Sequence, residues 1–160
     1  MIEQAVTVTV NGIRQRASVQ PRQLLVHFLR NTLALTGTHV GCDTAYCGAC
    51  TVQLDGQAVK SCNLFTVQAD GRRVDTVEGL ARGGEPSALQ AAFSRHHALQ
   101  CGYCTPGMLM SATALLQSNA AASDPEVRKA LAGNVCRCTG YQTIVAAVLD
   151  AAARMKREAA

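Results

Sequence analysis

Tryptophan is absent from this 160-residue chain, and aromatic residues make up only 4% of it. Large ring anchors are therefore scarce, and a core must rest on the Ala, Val and Leu that dominate the 48% apolar fraction. A strong charge imbalance is missing too: 15 basic and 11 acidic residues leave a net charge of +4. The basic residues form no dense run, which gives no support to nucleic-acid binding. The nearest cluster, Arg154, Lys156 and Arg157, ends what reads as the last helix, where cations complement the helix dipole. No apolar run is long enough to span a membrane. Met1-Ile2-Glu3-Gln4 carries no basic leader and no long apolar run follows, so the chain reads as cytoplasmic. Also lacking are a G-x-S-x-G elbow, a phosphate-binding P-loop and a dinucleotide fingerprint, so no catalytic apparatus is visible.

What is present divides into a β-rich half and a helical half. Val6, Val8 and Val10 alternate with polar residues, and Asn11-Gly12 follows, the residue pair favoured in a type I′ hairpin turn. Ile13 to Val19 form the return strand. Pro21 opens a stretch in which Leu24, Leu25, Phe28, Leu29 and Leu33 recur at helical spacing. A second hairpin runs from Thr51 through Asp55-Gly56 to Cys62, and a further turn at Asp70-Gly71 separates Phe65–Gln68 from Arg72–Thr76. The Gly-rich stretch Glu78 to Pro86 is the expected boundary between residues 1–78 and 79–160. Beyond it a helix is expected from Pro86 toward Ala98, and another from Thr105 as cap with Pro106 at its first position. Ser123 with Glu126 has the spacing of a capping box, and Thr139 with Gln142 repeats it before the last helix. The expected class is α+β: a small mixed sheet packed on a helix, then a four-helix bundle.

Eight cysteines dominate the chemistry. In a reducing compartment, clustered cysteines bind metal more often than they form disulfides. They fall into two sets. Cys42, Cys47, Cys50 and Cys62 have the x4–x2 spacing of a plant-type [2Fe–2S] loop with one later ligand. Four thiolates must converge on a two-iron rhomb, and Gly41, Gly48 and Ala49 leave room for close backbone approach. Cys101, Cys104, Cys136 and Cys138 form the second set. Each of its pairs precedes a helix, whose N-terminal amides favour thiolates. Zinc remains an alternative for this second set and is less suited to the first. A Rieske centre needs paired Cys-x-His ligands, which His39, His96 and His97 do not provide. With His27, they read as packed or surface groups. Tyr103 and Tyr141 read as packing residues that could also shield a metal, and Met108 and Met110 as bundle core.

The stretches Thr36–Asp43, Cys47–Val52, Gln100–Met108 and Gly133–Tyr141 resemble the small iron–sulfur subunits of the xanthine oxidase family of molybdenum hydroxylases, aerobic carbon monoxide dehydrogenase in particular. The resemblance implies a ferredoxin-like β-grasp domain followed by a helical bundle domain. It implies a flavin-side cluster on Cys42, Cys47, Cys50 and Cys62, and a molybdenum-side cluster on Cys101, Cys104, Cys136 and Cys138. Gln100 matches a glutamine that hydrogen-bonds the pterin cofactor; the competing reading is a buried amide that satisfies a loop. The implied partners are a large subunit with molybdopterin cytosine dinucleotide and a medium subunit with FAD, in a dimer of heterotrimers. A freestanding two-cluster ferredoxin is the alternative function.

Overall fold

A computed structural model describes residues 2–158. Met1, part of the N-terminus read as leaderless, lies outside them. Among the described residues five strands form one sheet: β1 (Gln4–Val10), β2 (Ile13–Val19), β3 (Thr51–Leu54), β4 (Gln57–Lys60) and β5 (Arg73–Asp75). Their order is β2-β1-β5-β3-β4. Both hairpins form as their turn residues predict. Asn11 and Gly12 take φ of +50° and +81°, and Asp55 and Gly56 take +50° and +82°, the left-handed pair that a type I′ turn demands. The central strand β5 joins the hairpins, parallel to β1 and antiparallel to β3.

One expectation in this half needs correction. The helix expected from Pro21 is only α1 (Leu25–His27), continued by a wider turn in which Leu33 N–H reaches Phe28 C=O at 3.1 Å. Leu24 is extended and pairs with Phe65, while Leu25 and Thr66 N–H donate to Leu64 and Gln23 C=O. Cross-chain bonding took the backbone groups that a longer helix would have used. Segment 65–68 leads into a tight helical turn, Thr66–Ala69. The apolar spacing still serves its purpose, because Leu25, Phe28 and Leu29 are fully buried against Val8, Val52 and Val74.

The second half holds α2 (Ala88–Arg95), α3 (Thr105–Ser118), α4 (Asp124–Leu131) and α5 (Gln142–Glu158). Its core is a separate cluster that includes Phe93, Met108, Leu131, Ile144 and Val148. Met110 is fully buried as well, so the methionine pair is core. Ser87 caps α2 in a reciprocal pair with Gln90, a box the sequence reading missed. The predicted box at α4 is present, with Ser123 N–H donating to Glu126 at 2.7 Å. Thr105 is not a cap: it lies inside α3, Cys104 holds the cap position, and the Thr105 hydroxyl has no partner. Thr139 does not pair with Gln142 either; its hydroxyl accepts from Tyr141 N–H at 3.1 Å.

The two halves meet where α3 lies on β3. Gly107 permits that approach: a Cβ there would strike the Gly48 carbonyl oxygen, a backbone atom that cannot swing away. Gly107→Ala gains at most about 1 kcal/mol of helix propensity, against about 1–3 kcal/mol for overpacking a close contact. A net loss of stability is expected, read as a lower urea midpoint; an unchanged or higher midpoint would contradict the close fit.

Asp150 on α5 ties α2 to α5. It accepts from Arg95 at 2.8 Å, from Arg154 at 3.0 Å and lies 3.2 Å from His96. The Arg95 guanidinium, then that of Arg154, holds its carboxyl well below the usual carboxylate range. A depressed folded pKa stabilises above the unfolded value of about 3.9 and loses that effect as pH falls through the folded one. The stability gap between the native chain and Asp150→Asn is therefore expected to be full near neutrality and to shrink below about pH 4. Urea melts at pH 7, 4 and 3 check the sign.

Candidate metal centres

The first cysteine set lies on the loop before β3 and on the turn after β4. Asp43 and Ala45 have φ of +57° and +59°, a left-handed conformation that costs about 1–2 kcal/mol per non-glycine residue. That bend turns the loop amides inward. Thr44 and Cys47 N–H donate to Cys42 Sγ at 3.4 and 3.3 Å, and Ala45 N–H donates to Cys62 Sγ at 3.2 Å. Hydrogen bonding from Thr44, then the Cys47 amide, lowers the Cys42 thiol to about 6, so the loop is built for a thiolate. Burial pushes Cys62 up to about 11, and Cys50 lies in hydrogen-bond reach of it. Gly41 gives room at sulfur as predicted: a Cβ there would sit 3.0 Å from Cys47 Sγ. Gly48 gives room to something else. Its φ is +76°, and a Cβ would meet the Gly133 carbonyl and Asn134 of the other half.

The second set assembles at two helix N-termini, as the spacing implied. Cys138 Sγ lies 3.5 Å from Cys101 Sγ, and both residues are exposed. Cys104 and Cys136 form the other pair, within hydrogen-bond reach of each other. Burial raises Cys104 to about 12. Burial also pushes Cys136 up, but the Thr139 hydroxyl at 3.2 Å and nearby N–H donors outweigh it, and the net shift is down. A cavity of about 180 Å³ opens among these four thiols, with Cys47 of the first set on its wall.

Two thiol pairs per set is what a two-iron rhomb requires, since each iron takes two thiolates. Among the described residues no three His, Cys, Asp or Glu side chains close on the space of one ion. Thiol-only donors, inward amides and room beside sulfur thus fit a [2Fe–2S] group at each set. Gln100 is exposed beside Cys101, so the reading of it as a buried loop amide fails. His39 stacks on Tyr103 at 4.7 Å, and Tyr103 donates to Val40 C=O at 2.7 Å, which ties the two cysteine loops together.

Residues that spacing alone did not single out complete the junction. Val135 N–H donates to Cys47 C=O at 2.8 Å. Asn134, only 2% exposed, donates to Gly48 C=O at 2.9 Å and accepts from Ser111 at 2.8 Å and Lys60 at 3.3 Å. Tyr141 accepts from Cys136 N–H and donates to Asn134 C=O. Asn134, Val135 and Tyr141 fall in the Gly133–Tyr141 stretch that carries the family resemblance, but spacing gave them no partner in the other half.

The sheet with its cysteine loop and the helical half with paired thiols define a two-domain iron–sulfur protein. A family model for a 2Fe-2S iron-sulfur cluster binding domain matches residues 8–81, and one for a [2Fe-2S] binding domain matches residues 76–149. The chain is 56% identical to the nicotine 6-hydroxylase small subunit of Paenarthrobacter nicotinovorans, over 91% of this chain and 88% of that one. It is 48% identical to the caffeine dehydrogenase subunit gamma of Pseudomonas sp. strain CBB1, over 92% and 90% of the two chains. The crystal structure of quinoline 2-oxidoreductase from Pseudomonas putida 86 superposes with a TM-score of 0.93 at 46% identity, over 98% of this chain and 97% of that one. The chain belongs to the small [2Fe–2S] subunits of the xanthine oxidase family of molybdenum hydroxylases.

Asn134→Ala leaves the buried Ser111 hydroxyl unpaired and removes one donor from Gly48 C=O, which keeps those of Thr51. A loss of about 1–3 kcal/mol is expected from the unpaired hydroxyl, measured by urea unfolding followed by far-UV circular dichroism.

Proposed function

We propose that this chain relays electrons inside a molybdenum hydroxylase, from a molybdenum–pterin site on a large partner subunit to FAD on a medium one. The carrying observation is the 2.8 Å hydrogen bond from Val135 N–H to Cys47 C=O. It joins the residue before Cys136 directly to a residue of the first set, so each domain presents a ligand loop to the other. When bound, two [2Fe–2S] groups supply one-electron carriers, and the chain supplies ligation, orientation and electrostatics. Cys42 and Cys47 would share one iron and Cys50 and Cys62 the other; Cys101 pairs with Cys138, and Cys104 with Cys136. Loop amides favour the thiolate of Cys42, and Thr139 with nearby N–H donors favours that of Cys136.

The exposed pair Cys101 and Cys138, with exposed Gln100 beside it, faces outward. We place the molybdopterin cytosine dinucleotide of the large subunit at that end, with Gln100 as its hydrogen-bonding partner. The flavin subunit then meets the ferredoxin-like domain, residues 1–78, while residues 79–160 form the helical domain. A dimer of such heterotrimers in the cytoplasm is the assembly this reading implies. No helix among the described residues is long and apolar enough to cross a membrane. The relatives nicotine 6-hydroxylase and caffeine dehydrogenase carry subunit names. That supports an N-heterocyclic substrate for the complex and disfavours a freestanding ferredoxin.

Cys101→Ser in the native complex tests the relay. Loss of one of two electron paramagnetic resonance signals and of reduction by substrate is expected, with the signal of the ferredoxin-like domain kept. Iron, molybdenum and flavin assayed together on the same preparation report the assembly. Retention of both signals would contradict the ligand assignment.

A further inference from the structure

Lys60 belongs to neither cysteine set, yet its ammonium is lodged between the two. It is half-buried at the end of β4. Nζ donates to Gly133 C=O at 2.8 Å, to Thr51 Oγ1 at 3.0 Å and to Asn134 Oδ1 at 3.3 Å. Thr51 in turn donates to Gly48 C=O at 2.7 Å, inside the first loop. Gly133 and Asn134 lead into Cys136. Three fixed acceptors therefore hold one cation at the seam where the ligand loops face each other.

The charge is not placed evenly. Lys60 pairs with Thr51 across the β3–β4 ladder, one residue after Cys50, and Cys62 follows it by two positions. Ser61 beside it donates to Cys50 C=O from its N–H at 3.3 Å and from its hydroxyl at 2.7 Å. A half-buried cation acts on neighbouring charge at low effective dielectric and is little screened by salt. The cation nearest the second set in sequence, Arg137, is exposed, where water and salt weaken it.

Resting on the reading that both sets hold [2Fe–2S] groups, we propose that Lys60 selectively raises the reduction potential of the centre on Cys42, Cys47, Cys50 and Cys62. Reduction adds one negative charge beside the ammonium, which stabilises the reduced form over the oxidised one. An electron leaving the centre on Cys101, Cys104, Cys136 and Cys138 oxidises it by one unit and reduces the other by one. No proton or further reactant is needed. Lys60 thus favours the reduced state on the ferredoxin side and gives the relay its direction. It is a tuning residue that touches no ligand sulfur in the hydrogen-bond network.

The test is a redox titration of the intact complex followed by electron paramagnetic resonance, with iron counted. The two signals are assigned in the Cys101→Ser background. The variants are Lys60→Gln and Lys60→Met, which are neutral, and Lys60→Arg, which keeps the charge. In the neutral variants the reduced-to-oxidised ratio of the ferredoxin-side centre is expected to fall about tenfold at fixed ambient potential, a shift of about 59 mV for one electron. The other midpoint moves less, iron content stays, and Lys60→Arg lies near the native value. An unchanged midpoint, an equal shift of both centres, or an arginine variant that behaves like glutamine overturns the proposal. Loss of iron from both neutral variants overturns it too, because Lys60 is then a structural tether. Absence of any [2Fe–2S] signal in the native complex marks a different failure, that of the cluster reading itself.

Discussion

Everything in this molecule depends on the close approach of two backbones, the Gly48 loop before β3 and the first turn of α3. Side-chain volume is missing there by design: Gly107 and Gly48 would each drive a Cβ into a carbonyl oxygen of the other half. Backbone groups brought that close must be satisfied, and Asn134 does most of it. Its amide nitrogen serves Gly48 C=O and Thr51, and its oxygen serves Ser111 and Lys60. The orientation of the amide follows from its neighbours, since a carbonyl only accepts and an ammonium only donates. A fully used buried network of this kind fixes one relative placement of the domains, where apolar contact alone would tolerate sliding.

That placement is what brings the two sets of four thiols to face each other across the seam. Each set lies in its own domain, and each domain has its own hydrophobic cluster. Only the seam brings Cys47 to the wall of the second cavity and Val135 N–H to Cys47 C=O. The same contacts lodge Lys60 beside the first set. Packing, hydrogen bonding and the electrostatics of the site are therefore one arrangement rather than three. The strain in the first loop, at Asp43 and Ala45, has the same origin: amides must face sulfur, and the loop bends left-handed to let them.

Much of the fold was legible because it is written in local chemistry. Asn11-Gly12 and Asp55-Gly56 specify hairpins by turn geometry, and Ser123 with Glu126 marks the start of α4. The α1 region misled because its apolar period is real but its backbone is spent on Phe65 and its neighbours, 40 residues away. Helical periodicity reports which side chains face the core; it does not report which partner the amides choose. Thr105 and Thr139 misled for a related reason. Both sit where a cap belongs, but the chain entering each helix is shaped by a cysteine turn, so Cys104 and Tyr141 hold the first carbonyls that accept within the helix.

The sequence by itself determined the ligand chemistry: thiol type, two sets of four, and the short spacings that let a loop bend around a small group. These are properties of neighbouring residues, and spacing along the chain measures them. It also determined the class of the two halves, through a period of two before the Gly-rich boundary and a helical period after it. The tertiary structure alone decided how the sets face each other, which thiols pair, and which outside residues complete them. Gly133, Asn134 and Lys60 lie 73 to 74 positions apart in sequence across the contact they make, and no local pattern carries a separation of that kind. Burial did the rest, because a lysine at the end of a strand becomes an electrostatic element only once a second domain closes over it.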